Sequence, residues 1–382
     1  MKTAQYKFTP ELGWNFINGD EAINDASLVL VFGSSANIKN ADNLSEIKNK
    51  FNQAIFLGSS TSGEIIGVNV VDDTIIATAI LFEKTTLQYK HTEIESSEDS
   101  YNAGFELINS LDKENLKHVF VLSDGLNVNG SELVNGLRKN LPEGVSVTGG
   151  LAGDGANFKE TFIVTNNANS KSKTIAVLGF YGNHIHIGYG SLGGWDSFGI
   201  ERLVSKSKNN VLYELDSKPA LALYKSFLGD EYAKELPSSG LLFPLNLRIK
   251  HNDTPVVRTI LAVDEETQSL TFAGDIPEGG YVRLMKANFD RLIDGAVGAA
   301  QSTLINSKTN NPDLAILISC VGRKLVLKQI IEEEVEGVRE VLGDDTTLCG
   351  FYSYGEISPF SLDAKCELHN QTMTITTFKE DK

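Results

Sequence analysis

Cysteine and positive charge are both scarce in this sequence. It has three cysteines among 382 residues, and 34 lysines and arginines stand against 50 aspartates and glutamates, which gives a net charge of −16. Cysteines this few and without paired spacing are typical of a reducing compartment and not of a disulfide framework. A strongly acidic surface repels nucleic acid and anionic membranes. We therefore expect a cytoplasmic protein that does not bind nucleic acid.

Long apolar runs and the common catalytic signatures are also missing. No run approaches the length of a membrane span, and the N-terminus lacks the charged and apolar regions of a signal peptide. No Walker lysine follows a glycine loop, and no G-x-S-x-G nucleophile elbow or C-x-x-C-H haem attachment occurs. We therefore expect no membrane insertion and no enzymatic activity, and we assign no catalytic residue.

A repeated phrase is the most informative feature that is present. GSSTSGEI spans residues 58–65, GFYSYGEI spans residues 350–357, and a shorter relative, GGLAGD, spans residues 149–154. Each follows an apolar strand, and glycine at a strand exit permits a positive φ or a close backbone approach. We call residues 58–65, 149–154 and 350–357 the first, second and third glycine bends. Internal repetition of this kind decides the architecture.

The segments around the bends repeat as well. Apolar strands at 28–34, 119–124 and 314–320 precede the three bends, with a helix-like segment between. Alternating strands that start at threonine follow them, at 74–78, 174–178 and 372–376. A strand, a crossover helix and a second apolar strand form a βαβ unit. The sequence predicts an α/β fold with mixed sheets, in two pseudo-symmetric halves built from repeated βαβ units with antiparallel extensions.

A long amphipathic helix is predicted ahead of the strand at 314–320. Its apolar residues recur at three- and four-residue spacing and are expected to face the core. They are Phe289, Leu292, Ile293, Val297, Ala300 and Leu304.

The glycine bends, together with the phrase LHNQTMTI at residues 368–375, resemble the signatures of the FIST family. GGW at 193–195 and YELD at 213–216 resemble its linking region. The resemblance implies a FIST N-terminal domain at 25–195 and a FIST C-terminal domain at 196–382. It also implies a sensory protein that binds a small ligand and signals through a separate partner. Ser59 stands where the family often has cysteine, so a thiol mechanism is not expected there.

The two glutamates of the GEI phrases have two interpretations. Glu64 and Glu356 either accept backbone and hydroxyl hydrogen bonds within their own bends, or contact a ligand. Paired carboxylates perform acid–base catalysis when their pKa values differ, but equivalent positions perturb both groups similarly. The hydroxyl-rich residues Ser60 and Thr61 likewise suit either turn formation or a polar ligand.

The third bend offers the richer chemistry. Tyr352 and Tyr354 alternate to one face, where they either wall a pocket or are buried with satisfied hydroxyls. Ser319 and Cys320 end the preceding strand at the carboxyl edge, where ligands bind in open α/β sheets. A cysteine buried at a strand end is usually inert.

The histidines permit a second interpretation. One branch of the resembled family consists of haem proteins that sense nitric oxide and regulate a partner histidine kinase. Non-covalent haem b needs one histidine in an apolar slot, which His184, His186 or His369 would supply. A metal site at His184 and His186 lacks a third ligand of suitable spacing.

The sequence therefore predicts a cytoplasmic sensor of a small polar ligand, for example an amino acid, with a haem-based sensor as the alternative and an enzyme as the weakest. Its ligand-binding residues are predicted to be Ser60, Thr61, Gly63, Glu64, Gly150, Asp154, Ser319, Cys320, Tyr352, Tyr354, Gly355, Glu356, His369 and Asn370.

Overall fold

The structure is a computed structural model that describes residues 1–249, 255–360 and 364–381. Strands hold 41% of the residues and helices 26%, so the predicted mixed α/β class is confirmed. No helix within these ranges is long and apolar enough to cross a lipid bilayer.

The elements follow in chain order. The first part contains β1 (Lys2–Thr9), β2 (Gly13–Gly19), β3 (Leu28–Ser34), α1 (Ser35–Lys39), α2 (Ala41–Lys50), β4 (Ile55–Thr61), β5 (Glu64–Ile66), β6 (Asn69–Val71), β7 (Ile75–Leu81), β8 (Thr86–Glu93), α3 (Ser100–Asn109), β9 (Leu116–Ser123), α4 (Gly130–Lys139), β10 (Ser146–Leu151), β11 (Ile163–Val164), β12 (Ser170–Lys171), β13 (Thr174–Tyr181) and β14 (Ile185–Leu192). The second part contains β15 (Asp196–Ser197), β16 (Arg202–Lys208), β17 (Val211–Leu215), β18 (Lys218–Pro219), α5 (Ala220–Ala233), β19 (Leu245–Arg248), β20 (Val256–Arg258), β21 (Ile260–Asp264), β22 (Ser269–Phe272), β23 (Tyr281–Lys286), α6 (Phe289–Ser307), β24 (Leu314–Cys320), α7 (Val321–Leu327), α8 (Ile331–Leu342), β25 (Thr347–Ser353), β26 (Gly355–Pro359), β27 (Cys366–His369) and β28 (Met373–Glu380). Short 3-10 helices span Ser97–Asp99, Ser238–Leu242 and Lys328–Ile330.

Three βαβ units repeat the same pairing. Unit 1 joins β3, β4 and β7, unit 2 joins β9, β10 and β13, and unit 3 joins β24, β25 and β28. In each unit the first two strands are parallel, and the third strand pairs with the first in the antiparallel sense. The predicted repeated units with antiparallel extensions and mixed sheets are therefore confirmed.

The units exchange strands in a ring. After the first bend, β5 leaves unit 1 and pairs with β25 of unit 3. After the third bend, β26 leaves unit 3 and pairs with β10 of unit 2. After the second bend, β11 leaves unit 2 and pairs with β4 of unit 1. Each exchange covers the free edge of the next unit, and the three sheets close on one another.

The resulting sheets are mixed in strand direction and in origin. The orders are β12-β11-β4-β3-β7-β1-β2 for unit 1, β27-β26-β10-β9-β13-β8 for unit 2 and β14-β28-β24-β25-β5-β6 for unit 3. The fourth sheet runs β20-β19-β23-β16-β17-β22-β21, with β15 on β23 and β18 on β17. It is built from residues between β14 and α6, and it has its own core with α5 around Leu212, Leu221 and Tyr224.

The inner faces of the three unit sheets share one core. Phe32 of unit 1, Phe120 of unit 2 and Phe351 of unit 3 belong to it, and the rings of Phe32 and Phe351 stack at 4.7 Å. The outer face of each sheet carries its own helices: α1 and α2 on unit 1, α3 and α4 on unit 2, and α6 and α8 on unit 3. Because both faces are covered, the strands are apolar throughout.

The predicted helix α6 is present, and Leu292 and Ala300 of its predicted apolar stripe are buried in the core of unit 3. Phe289 is half-exposed, whereas small residues such as Ala299 and Thr303 lie against β14. A Cβ on Gly188 of β14 would lie 2.1 Å from the Thr303 carbonyl oxygen, and one on Gly190 would lie 2.2 Å from that of Ala299. The helix approaches the strand so closely that only small residues fit, and the larger apolar side chains pack beside this contact.

Each unit depends on one glycine in its second strand. Gly58, Gly149 and Gly350 stand at equivalent positions, opposite Val31, Val121 and Leu317 of the first strands. A Cβ on any of the three would lie 1.8–1.9 Å from the carbonyl oxygen of that opposite residue. No side chain can occupy this space, since such a contact is far inside van der Waals distance.

We expect Gly350→Ala to destabilise the fold by about 3 kcal/mol or more, because the obstructing atom is rigid backbone. Gly58→Ala and Gly149→Ala are expected to behave alike. The matched control is Gly298→Ala on α6, where the new Cβ would meet only Cδ1 at the end of the exposed Leu192 side chain, at 2.8 Å. That variant is expected to stay within about 1 kcal/mol of the wild type. Urea denaturation measures both. A Gly350→Ala protein as stable as the wild type would contradict the close strand approach.

Candidate functional site

A cleft lies where the third glycine bend meets unit 2 and the fourth sheet. Its inner chamber has a volume of about 60 Å³ and its outer chamber about 520 Å³, and Phe158, Leu241 and Leu261 border both. Gly125 of unit 2, Tyr354 of unit 3 and Thr259 from the region of the fourth sheet line the inner chamber. The cleft therefore joins three parts of the molecule.

A larger groove elsewhere has less chemistry. It has a volume of about 600 Å³ and lies beside β8, with Gln88 and Tyr181 in its lining. The Tyr181 hydroxyl donates to Gln88 and to the Asp112 carbonyl oxygen, so the groove's aromatic polar group is already satisfied within the protein. We place the candidate site at the cleft, because that is where predicted site residues meet buried polar atoms without partners.

Tyr354 holds a loop over the cleft. Its hydroxyl donates to Asp154 and accepts from the Phe158 amide at 3.3 Å, and its ring stacks on Phe158 at 4.6 Å. Asp154 also accepts from the amides of Phe158, Lys159 and Glu160 at 2.7–3.0 Å. Two predicted residues, Tyr354 and Asp154, are thus brought together. Asp154 orders the loop, and Tyr354 lines the chamber.

The HNQT phrase lies behind the inner chamber. The Gln371 side chain occupies the space beside Gly322, where a Cβ would meet its amide nitrogen at 2.4 Å. The Asn370 amide nitrogen lies 3.6 Å from a Cβ position on Gly355, the residue after Tyr354. Both amide atoms of Asn370 and the Gln371 Oε1 are buried without a hydrogen-bond partner among the described residues. The Gln371 backbone has φ +63°, a left-handed conformation, in the turn before β28.

Thr259 supplies a further orphaned group. It is 4% exposed and lines the inner chamber, and its Oγ1 has no hydrogen-bond partner within the described ranges. A buried polar atom left unpaired costs about 1–3 kcal/mol of stability. Thr259 lines the cleft, whereas Asn370 and Gln371 lie outside the lining of both chambers.

Glu64 and Glu356 occupy equivalent bends and make equivalent bonds. Glu356 accepts from the Ser353 hydroxyl at 2.6 Å and from the Thr372 hydroxyl at 3.0 Å. Glu64 accepts from the Thr61 hydroxyl at 2.5 Å and from the Thr74 hydroxyl at 2.7 Å. Each carboxylate connects its bend to the threonine of the following strand. Neither glutamate lines the cleft.

Burial shifts both carboxyl groups toward the neutral form. Desolvation raises the pKa of Glu64 to about 7 and that of Glu356 to about 8, and the hydroxyl and backbone hydrogen bonds only partly oppose the shift. At neutral pH these groups are thus poised near their titration points, which is unusual for carboxyls.

The other predicted residues of the third unit belong to a buried ion-pair network. Ser319 donates to Glu334 at 3.1 Å and Tyr352 donates to it at 2.7 Å. Glu334 also pairs with Arg323 at 2.6 Å, and both charged side chains are fully buried. Burial raises the pKa of the Tyr352 hydroxyl. Ser319 and Tyr352 therefore face the helices of unit 3 and not the cleft.

The predicted residues of the first bend are packed into the junction with the neighbouring units. Ser60 accepts from the Phe162 amide at 2.9 Å, and Thr61 is bonded to Glu64. The space beside Gly63 is occupied by the Lys324 amine, which pairs with Asp72. The backbone of this bend is bonded to the third bend, since the Tyr352 amide donates to the Gly63 carbonyl oxygen at 2.8 Å and Glu64 pairs with Phe351. Ser60, Thr61, Gly63 and Glu64 nevertheless do not line either chamber of the cleft.

Gly150 and Cys320 differ in their access to the cleft. A Cβ on Gly150 would lie 2.8 Å from Ile318 in the shared core, which indicates a packing role. Cys320 lines the inner chamber but is nearly fully buried, and desolvation raises the pKa of its thiol far above the usual range. Such a thiol is not nucleophilic.

The histidines do not fit a haem. His369 is buried under the Phe360 ring at 4.1 Å, its Nε2 is 2.7 Å from the Ser358 carbonyl oxygen, and burial lowers its pKa to about 4. His186 pairs with Asp381 on the surface, and His184 is exposed. None of the three lines either chamber. Within the described ranges no three His, Cys, Asp or Glu residues form a group that could hold a metal ion.

Sequence reasoning missed the part of the site that comes from outside the repeats. Phe158 lies in the long connection between β10 and β11, Thr259 lies between β20 and β21, and Leu261 lies in β21 of the fourth sheet. None belongs to a glycine bend. Phe158 has φ +52° and is 41% exposed. The sequence feature that could have identified it is an aromatic residue within a connection rich in glycine and aspartate.

The buried carboxyls predict a pH dependence of stability. Because the folded-state pKa of each is raised above its unfolded value, their contribution is complete below about pH 4.5 and is lost as the pH rises through 7 and 8. Each titrating group is expected to lower the free energy of unfolding by about 1.4 kcal/mol per pH unit within its window. Glu356→Gln and Glu64→Gln should each flatten this slope and make the protein more stable than the wild type above pH 8. Urea denaturation across pH measures it, and an unchanged slope in both variants would contradict the assignment.

Comparison with known proteins agrees with the geometry of the repeats. The FIST N domain matches residues 27–218 and the FIST C domain matches residues 220–359. An uncharacterized protein of Methanocaldococcus jannaschii is 26% identical over 242 residues, which cover 56% of this chain and 45% of that protein. The chain thus spans less than half the length of this relative. FIST domains are sensory domains associated with signalling and are not a known enzyme family. The chain belongs to the FIST family.

Proposed function

We propose that this chain is a sensor that binds a small molecule in the cleft and passes the signal to a separate protein. The observation that carries the proposal is the set of buried polar atoms at the cleft that lack a partner among the described residues. Thr259, whose Oγ1 is unpaired, lines the inner chamber, and both amide atoms of Asn370 and the Gln371 Oε1 are unpaired behind that lining. Buried polar groups are almost always paired, so a bound ligand is the natural source of the missing hydrogen bonds.

The location of the cleft supports a signalling role. A molecule in the inner chamber contacts Tyr354 of unit 3, Gly125 of unit 2 and Thr259 beside the fourth sheet. It thereby contacts three parts of the molecule at once. A ligand that prefers one relative position of these parts shifts the population toward it. The separate partner, such as a histidine kinase, would read that position; this step comes from the family resemblance.

The Asp154–Glu160 loop is the element that ligand binding would move first. Phe158 borders both chambers and is fixed by its stack on Tyr354 and by the bond of its amide to Asp154. This ring is part of the wall that the two chambers share. The loop is therefore part of both the site and the response.

A screen by thermal shift tests the proposal. A library of amino acids and neutral metabolites should contain compounds that raise the melting temperature of the wild type, because ligands that prefer the folded state stabilise it. Tyr354→Ala should abolish this shift, since it removes the wall of the chamber and the support of Phe158. The matched control is Tyr352→Phe, two residues earlier in the chain. It removes a hydroxyl that donates to Glu334 of α8 and does not line the cleft. It should lower the melting temperature but keep the ligand-dependent shift.

Two outcomes would contradict the site. One is a library in which nothing stabilises the wild type. The other is a ligand whose effect survives Tyr354→Ala but is lost in Tyr352→Phe, which would place binding at the Glu334 network instead.

The haem-based sensor remains the alternative prediction, and the absorbance of the same purified protein after haem addition tests it. The geometry of His184, His186 and His369 leads us to expect no Soret band above that of free haem after haem addition. A Soret band that is lost on substituting one of these histidines would establish haem binding and exclude the cleft as the sensing site.

A further inference from the structure

The inner chamber lacks the charge that a free amino acid would need. None of the described residues that line it is Asp, Glu, Lys, Arg or His. The outer chamber has two charged lining residues, Glu235 and Lys328. A carboxylate or ammonium group placed in the inner chamber would lose its hydration without gaining a counter-ion, which is strongly unfavourable.

The charges close to the inner chamber already have partners. Asp154 is bonded to the Tyr354 hydroxyl and to three amides of its loop. Arg258, next to Thr259, donates to the carbonyl oxygens of Leu368 at 3.1 Å, Val257 at 3.2 Å and Asp275 at 3.2 Å. The carboxylate of Asp154 and three of the five N–H groups of Arg258 are thus engaged within the protein, and neither residue lines the chamber.

The orphaned group of the lining suits a neutral head instead. The Thr259 hydroxyl in the lining both donates and accepts, and it has no partner among the described residues. A head group that carries both a donor and an acceptor without net charge complements this hydroxyl, and a carboxamide or a lactam is such a group.

The volumes separate the head of the ligand from its body. About 60 Å³ holds roughly four to six water molecules at about 10–15 Å³ each, which is room for a small head group but not for a larger body. The body must therefore lie in the outer chamber of about 520 Å³, against Leu261, Leu325 and the Phe158 ring. These are apolar surfaces, so the body is apolar as well.

We propose that the ligand class is a neutral amphiphile, with a carboxamide or lactam head in the inner chamber and an apolar body in the outer chamber. The inference rests on the proposed function and narrows it: it replaces the amino acid expected from the sequence with an uncharged molecule. Thr259 is the residue that we expect to bind the head group, because it lines the chamber and its buried hydroxyl has no partner among the described residues.

Benzamide and benzoate form the test pair, because they have the same size and differ in charge. Ligand-observed NMR at neutral pH should show saturation transfer to benzamide, with benzoate binding at least about tenfold more weakly. Tyr354→Ala should remove the benzamide signal. Comparable or stronger binding of benzoate would overturn the inference while leaving the cleft as a binding site.

Thr259→Val gives a second test, in which the melting temperature and the affinity for benzamide are expected to change in opposite directions. The change deletes an unpaired buried hydroxyl, so the free protein should melt a few degrees higher, while benzamide binding should fall about tenfold. The matched control is Thr346→Val, whose hydroxyl donates to the carbonyl oxygens of Pro312 at 2.9 Å and Leu342 at 2.8 Å. It should melt lower and bind benzamide normally.

Each remaining outcome bears on one proposal. A lower melting temperature for Thr259→Val would mean that the protein itself uses this hydroxyl, and would overturn the inference. Failure of benzamide to bind would also overturn it. If charged metabolites then stabilise the wild type and lose their effect in Tyr354→Ala, the proposed function stands without this ligand class. If no library compound does so, the proposed function fails as well.

Discussion

The contact between a strand glycine and the carbonyl oxygen of its neighbour is the constraint on which the structure depends. At Gly58, Gly149 and Gly350 the second strand of a unit lies so close to the first that no Cβ fits. On its other side, the same glycine pairs with an exchanged strand: Gly58 with Val164, Gly149 with Ile357 and Gly350 with Ile65. Each glycine is thus held between two strands from different units. Since an exposed sheet edge invites unwanted pairing, the ring of exchanges also protects three edges at once.

The cleft exists because the three junctions of this ring are filled differently. Where the first bend meets unit 3, the Lys324 amine fills the space beside Gly63 and pairs with Asp72. Where the second bend meets unit 1, the Ser35 hydroxyl lies within hydrogen-bond distance of the carbonyl oxygens of Gly153 and Glu160. Where the third bend meets unit 2, Tyr354 stands at the junction without a charged partner from the neighbouring helix, and residues of the fourth sheet cover it. One junction of the repeat is therefore left open, and it is the one that the additional sheet reaches.

The repeats could be predicted from the sequence because their physical causes are local. An apolar strand, a glycine at its exit and a threonine at the start of the next strand are each visible within a few residues, and the equivalence of Glu64 and Glu356 follows from them. The exchange of strands could not be predicted, because it depends on which unit lies beside which. The third copy also hides its equivalence: in β11, Ile163 takes the position that Glu64 and Glu356 take elsewhere, and it follows a connection of 11 residues after β10. Of the predicted site, Tyr354 and Cys320 line the cleft, whereas Thr259 lies far from any repeat.

Helix α7 lies between the buried ion pair of Arg323 and Glu334 and the inner chamber of the cleft. Arg323 on this helix donates to Glu334, to the Gly193 carbonyl oxygen at 2.5 Å and to the Leu292 carbonyl oxygen at 2.7 Å. Gly322, one residue earlier, lines the inner chamber and contacts Gln371. Breaking a buried ion pair is strongly destabilising. Because Arg323 joins α7 to Glu334, Gly193 and Leu292, we expect α7 and the segments that carry these residues to move together. A ligand that engages the groups around Gly322 therefore acts on the end of an element whose other contacts reach the start of the fourth sheet and α6. A ligand in the inner chamber would displace α7 at Gly322. The buried ion pair of Arg323 and Glu334 is rigid, so it would transmit this displacement to α6 and to the start of the fourth sheet.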